Sequence, residues 1–178
     1  MPSPKTKPTP RGGRTAFALE RFVPYLMTQI YHRLNKSFSS ALRPLHLNPA
    51  QWRVLANLSS GESRTFTELL QHTALDQPTL SRTVARLVRK GFVARNRKLV
   101  DGRAVELQLT AAGRRMFARA LPVGRQQHRT TVRGVAQGDQ ERLARILAYM
   151  LANVRAMPPH RTAPGKRAAP GKRAAPRR

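Results

Sequence analysis

The chain has 178 residues, 40% of them apolar, and carries 34 basic against 8 acidic side chains for a formal net charge of +26. That length suits one domain with extensions and can bury a core, while the charge draws polyanions, meaning nucleic acid or an anionic membrane surface. The absence of cysteine excludes a disulfide framework, a thiolate metal site and a thiol redox sensor; the longest apolar run, residues 146–152, is far short of a membrane span, and residues 1–14 have no apolar signal core, so a soluble cytoplasmic protein is expected.

Eleven of the bases lie in residues 1–14 and 158–178, which hold no acid, so the part between keeps 23 bases against all 8 acids. The folded part is therefore itself cationic. Arg outnumbers Lys 27 to 7, which suits bidentate contact with phosphate or guanine, although a GC-rich genome gives the same bias. Residues 1–14 form a basic Pro-rich tail. Residues 158–178 carry APGKRA twice and a truncated third copy. Both compositions bury too little to offset their ordering entropy and are expected to be disordered. The C-terminal tail is either a solubilising segment or an electrostatic arm that adds sequence-independent DNA affinity through counterion release. The folded domain is placed at 15–157.

Within it, Leu26, Ile30, Leu34 and Phe38 recur every fourth residue between Pro24 and Leu42, which predicts an amphipathic helix over 24–42. Pro24 suits its first turn, leaving 17–23 as a separate short helix or arm. Asn48-Pro49 caps a second helix in AQWRVLANL, ended by Ser59-Ser60-Gly61. Thr65 and Glu68 make a capping box for a third. After a tight connection at 73–75, Asp76 caps a fourth helix that stops at Gly91. Leu80, Val84, Leu87 and Val88 form its inner stripe, and Thr79, Arg82, Arg86 and Arg89 its outer face.

Two short helices joined by a tight turn, the second basic outside, are a helix-turn-helix. The β-prone runs FVARNRKLV and RAVELQL follow directly and predict a hairpin whose tip lies within 97–102. Asp101-Gly102 is either its turn or the entry to the second strand. A hairpin after a helix-turn-helix is a winged helix. Thr110 caps a fifth helix that Pro122 kinks or ends, and Gly138-Asp139 caps a sixth with a stripe of Leu143, Ile146, Leu147, Met150 and Val154. The first, fifth and sixth helices have more apolar surface than one winged helix can cover, so burial against a second copy is expected. The fold class is mainly α with a small β-hairpin wing, a winged helix-turn-helix over about 49–110 flanked by N- and C-terminal dimerisation helices at about 24–42 and 111–156.

LNPAQWRVLANL, then PTLSRTVARLVRKGFVAR, then Asp101 and Arg103 with Leu109, Thr110 and Gly113 at fixed spacing, resembles the MarR family of bacterial transcription regulators over about residues 24–156. The resemblance implies a homodimer with recognition helices in successive major grooves and wings at the minor grooves. It also implies that Asp101 orients Arg103 as the minor-groove contact. An exposed Asp–Arg pair stabilises by only about 0–1 kcal/mol, so positioning rather than glue accounts for the carboxylate. His46 and Asn48 stand where many members have Gly and Thr.

For base reading the sequence points to Gln77, Thr79, Ser81, Arg82 and Arg86 at the start of the recognition helix. Arg89, Arg95, Arg97 and Lys98 are expected to hold phosphate. Members of the family often bind small aromatic or phenolic anions in a crevice, which Tyr25, His32, His46, Trp52 and several arginines could line here. The expected function is a homodimeric, sequence-specific repressor on a palindromic operator, cytoplasmic and nucleoid-associated, with double-stranded DNA, a second copy and a small aromatic effector as partners. The alternative is an architectural DNA binder that reads shape and relies on its tails. Five scattered histidines and few carboxylates give no nucleophile with a base and no metal spacing, so no catalytic residue, metal or cofactor is expected, and no membrane attachment.

Overall fold

The computed structural model describes residues 17–97 and 105–158. The tails expected to be disordered, and Lys98, Asp101 and Arg103 of the wing tip, lie outside the described residues or, for residue 158, at their edge. The chain divides into two compact units, one running to Arg133 and one from Gly134 onward.

The first unit opens with a 3-10 turn at Leu19–Arg21, the separate short element foreseen before Pro24. Helix α1, Val23–Leu42, follows with Pro24 in its first turn, where its missing N–H costs nothing. Its C-terminal end drives Phe38 and Leu42 into the core, while Leu26, Met27, Ile30 and Tyr31 stay exposed. Helix α2, Pro49–Asn57, starts at a reciprocal cap: Gln51 N–H donates to Asn48 Oδ1 at 2.8 Å and Asn48 N–H to Gln51 Oε1 at 3.1 Å. Helix α3, Phe66–Thr73, has the Thr65/Glu68 box expected of it.

Helix α4, Gln77–Arg89, is capped by Asp76 and buries Leu80, Thr83, Val84 and Leu87, with Val88 half-buried beside them. It stops because Gly91 takes φ +68, a left-handed conformation that a Cβ disfavours, letting Phe92 N–H reach back to the Leu87 carbonyl at 3.0 Å.

The wing contains one strand more than expected. Strands β2, Val93–Arg97, and β3, Val105–Leu109, pair antiparallel from Val93↔Leu109 to Arg97↔Val105. On the other side of β3 lies β1, Arg64–Thr65, with Arg64↔Leu107, so the sheet order is β1-β3-β2. Leu107 and Leu109 point into the core beside Val93.

Helix α5, Ala111–Thr131, begins at Thr110 as expected but runs through Pro122 rather than ending there. A proline inside a helix costs about 3 kcal/mol. Packing on both sides outweighs that: Met116, Phe117, Ala120 and Val123 all belong to or pack against the core. Gly124 lies against the Trp52 ring, so that a Cβ there would come within 2.6 Å of Trp52 Cζ2.

The second unit is helix α6, Gln137–Ala156. Its N-cap is Ala136 rather than the Gly138-Asp139 pair, which lies in the first turn, where the Asp139 carboxylate suits the positive end of the helix dipole. No residue of α6 is buried, and Leu143, Ile146, Leu147 and Val154 are 40–61% exposed. Among the described residues no helix is long and apolar enough to cross a membrane.

Candidate nucleic-acid interface

Three local devices set the pose of α4. The turn before it depends on Ala74 in the left-handed region at φ +50, a conformation uncommon for a residue with a Cβ. Arg53 reaches over from α2 and donates through Nη1 to the Thr73 carbonyl at 3.1 Å and the Ala74 carbonyl at 3.4 Å, occupying acceptors that the helix end leaves open. Asp76 then accepts the Thr79 N–H at 2.7 Å. Hydrogen bonds from the Thr79 backbone and side chain, and behind them the charge of Arg82, hold the Asp76 carboxyl below the ordinary carboxylate range. That cap stays ionised down to lower pH than a free aspartate. Its stabilising effect is present above the unfolded value and is lost as pH falls through the depressed folded one.

The third device ties the wing to the end of α4. Thr110 Oγ1 donates to the Gly91 carbonyl at 2.6 Å and accepts the Gly113 N–H at 3.0 Å, while Thr110 N–H donates to the Phe92 carbonyl at 3.1 Å. One threonine thus joins the stop of α4, the base of the hairpin and the start of α5. This is the physical content of the Leu-Thr-x-x-Gly spacing.

The five residues expected to read bases do not share one face. Gln77, Ser81, Arg82 and Arg86 are exposed and Thr79 is half-buried. Ser81 lies on the flank of α4 turned to the wing, in a 190 Å³ crevice with Phe66, Arg95 and Val105. Thr79 lies on the other flank, beside Ala50 and Arg53 of α2. Arg86 occupies that same flank further along, with Arg89 and Lys90, against the loop before α2 and its first turn. Arg82 borders none of these crevices, and its Nη2 donates to Thr79 Oγ1 at 3.4 Å. Arg95 is exposed on β2; Arg97 is described through its backbone only, paired with Val105.

Nor do the four residues expected to line an effector crevice gather in one cavity. Trp52 borders a 220 Å³ cleft together with Tyr31, Phe38, Arg53 and Gln127. The Phe38 and Trp52 rings meet edge-on at 5.0 Å between centroids. Trp52 Nε1 is buried with no hydrogen-bond partner among the described residues. Tyr25 is half-buried and accepts from Gln29 Nε2 at 3.1 Å, His32 is exposed edge-on to Tyr31 at 5.7 Å, and His46 belongs to the crevice beside Arg86. Sequence reasoning passed over Tyr31 and did not say which of the arginines takes part, which is Arg53. Their signal was present, since Tyr31 is one helical turn from Leu34 and Asn35, and Arg53 adjoins Trp52.

Residues 47–104 match the model of the MarR family. A MarR-family transcriptional regulator from Silicibacter pomeroyi is similar in structure at TM-score 0.73 and 31% identity, over 82% of this chain and 99% of that one. BpsR of Bordetella bronchiseptica, whose DNA binding is regulated by 6-hydroxynicotinic acid, is similar at TM-score 0.65 and 25% identity, over 72% of this chain and 97% of that one. The HTH-type transcriptional repressor IacR of Pseudomonas putida is 23% identical over 141 residues, 79% of this chain and 84% of that protein.

Proposed function

Because the chain belongs to the MarR family of transcription regulators and is not an enzyme, we propose that it acts in the cytoplasm, at the nucleoid, as a homodimeric repressor on a palindromic DNA operator. The observation that carries this reading is α4: a helix with Leu80, Val84 and Leu87 buried beneath and Arg82, Arg86 and Arg89 exposed above, held by caps at both ends next to a hairpin. The exposed apolar side chains of α1 and, separately, of α6 support a second copy as partner. Repression rests on relatives such as IacR.

In this reading Gln77 and Arg82 meet base edges, Ser81 and Arg95 serve the wing side, and Asp101 orients Arg103 toward the minor groove. In the same reading the domain at 15–157 is the specific part and residues 158–178 a sequence-independent addition. The test is selection of bound fragments from random DNA by the full chain and by a chain ending at 157. A palindrome enriched by both is expected; enrichment of none, with equal affinity for all fragments, would instead select the architectural reading. Arg82→Ala is expected to cost about 1–3 kcal/mol at the selected site and much less on random duplex. Equal loss on both would remove its reading role.

We further propose that a small aromatic acid releases the DNA from the cleft bordered by Trp52, Tyr31 and Arg53. The chain holds a single Trp, and Arg53 also grips the turn before α4. A carboxylate that engages this guanidinium competes with the Thr73 and Ala74 carbonyls, which links the cleft to the pose of α4. A panel of hydroxylated aromatic acids should contain a compound that both quenches Trp52 emission and lowers DNA affinity. Arg53→Gln should lose the release, and the same quenching should need a higher concentration of the compound. Quenching without any change in DNA affinity in the native chain would end the proposal.

A further inference from the structure

A crevice of 410 Å³ lies on the flank of α4 turned to α2, bordered by His46, Asn48, Gln51, Arg86, Arg89 and Lys90. Its lining contains three cations and no carboxylate, and no Phe, Tyr or Trp that could stack a ring. Two of its walls are held in place. Lys90 Nζ donates to the His46 carbonyl at 2.7 Å, which uses one of three ammonium protons and leaves two. His46 itself sits in the left-handed region at φ +51, a conformation a non-glycine residue adopts against a steric penalty and one that concentrates at functional sites. Gln51 is only 5% exposed. Its Oε1 is taken by the Asn48 N–H, and its Nε2 donates to nothing among the described residues although Gln51 lines the crevice. An amide whose free donor opens to the crevice, set beside three cations, is complementary to an oxyanion.

Resting on the reading of α4 as the DNA-facing helix, we propose that this crevice seats a phosphodiester of the DNA backbone, and that Arg86 is one of its phosphate ligands rather than a base reader. Groove geometry supports the assignment. A helix with its side chains is about 10–12 Å across and the major groove is about 12 Å wide. An inserted helix therefore turns its crest to the bases and its two flanks to the phosphates of the two strands. Arg82 lies on the crest. Arg86 and Lys90 lie on the α2 flank, as Ser81 and Arg95 lie on the wing flank. Charge on opposite flanks then fixes the depth and tilt of α4, and the crest is left to read sequence.

The experiment compares the full-length chain with Arg86→Ala and with Arg86→Ala/Lys90→Gln, both at exposed positions. Affinity is measured for a duplex of fixed mixed sequence across a KCl series, and for the fragment selected above. The slope of log affinity against log salt is expected to fall by about one unit in the first variant and about two in the second. The preference for the selected fragment over the mixed one should stay within about twofold. An unchanged slope, or a preference that drops tenfold or more, overturns the assignment. So does saturable binding of inorganic phosphate by the unmodified chain that the double variant lacks, if the salt slopes are equal, because the crevice then serves a free anion. A native chain with no preferred fragment defeats the repressor reading and leaves the slope comparison intact, so the two failures are distinguishable.

Discussion

Replacing Ile146 and Leu147 together by Glu is expected to convert the protein to monomers and to lower its affinity for a palindromic fragment by about 100-fold or more, with its helix content unchanged. The expectation follows from what α6 lacks. None of its residues is buried, and Ile146 and Leu147 are 48% and 40% exposed, so charge at these positions disturbs no buried core of the lone chain. In a twofold interface each side chain counts twice, and each buried Leu or Ile contributes about 1.5–3 kcal/mol. Burying four carboxylates instead adds a desolvation cost of several kcal/mol each. Against roughly 12 kcal/mol for a nanomolar dimer, that total leaves no stable pair. DNA affinity then falls because two linked half-site contacts exceed one by about 10²- to 10⁴-fold. Sedimentation, circular dichroism and DNA titration on the same sample test it. Dimers that persist with undiminished DNA affinity would remove α6 from the interface.

The elements that could be read from sequence are those fixed by local chemistry. Asn48-Pro49, the Thr65/Glu68 pair, Asp76 and Thr110 each satisfy backbone donors within three residues, and Gly91 ends α4 through its own φ. Such signals need no knowledge of the rest of the chain. What escaped depends on distant partners. Strand β1 is two residues long and Thr65 doubles as the cap of α3, so no alternating pattern marks it; it exists because β3 offers an edge. Helix α5 survives Pro122 because Ala120 and Val123 on either side of it belong to or pack against the core, and Trp52, far away in sequence, lies against Gly124 two residues on.

The interface divides in the same way. Spacing separates the buried stripe of α4 from its exposed face, but only tertiary packing decides which flank meets α2 and which meets the wing. Arg82 and Arg86, four residues apart and alike in sequence, therefore part company in the structure. Gln51 carried no signal of its burial, since its type is usually exposed. His46 did carry one, since the family resemblance implies glycine in its place, and it occupies a left-handed position, from which its carbonyl accepts from Lys90.

Gly113→Ala should lower the thermal midpoint by about 5–10 °C, although alanine is the better helix former by about 1 kcal/mol. The sign is set by space. A Cβ at Gly113 would overlap the Phe92 carbonyl oxygen, lie 2.9 Å from the carbonyl carbon and 3.3 Å from Leu109 Cδ2. Two of these are backbone atoms at the base of the hairpin, where Phe92 O accepts from Thr110 and Val93 pairs with Leu109. Neither can rotate away as a side chain could. Forcing atoms into such a site costs about 1–3 kcal/mol where side chains give way, and the upper end applies where backbone must move. Gly138→Ala is the control: its Cβ meets nothing within 4 Å in the first turn of α6, so the same added methyl should be neutral or stabilising by up to about 1 kcal/mol. The clash also predicts a functional effect separate from stability, because shifting Phe92 shifts the wing relative to the end of α4 that Thr110 ties to it. Below its melting point, the Gly113 variant should therefore bind the selected fragment more weakly while the Gly138 variant does not. An unaltered midpoint and DNA affinity in Gly113→Ala would mean that the hairpin base yields freely, and that the Thr110 junction does not set the pose of the wing.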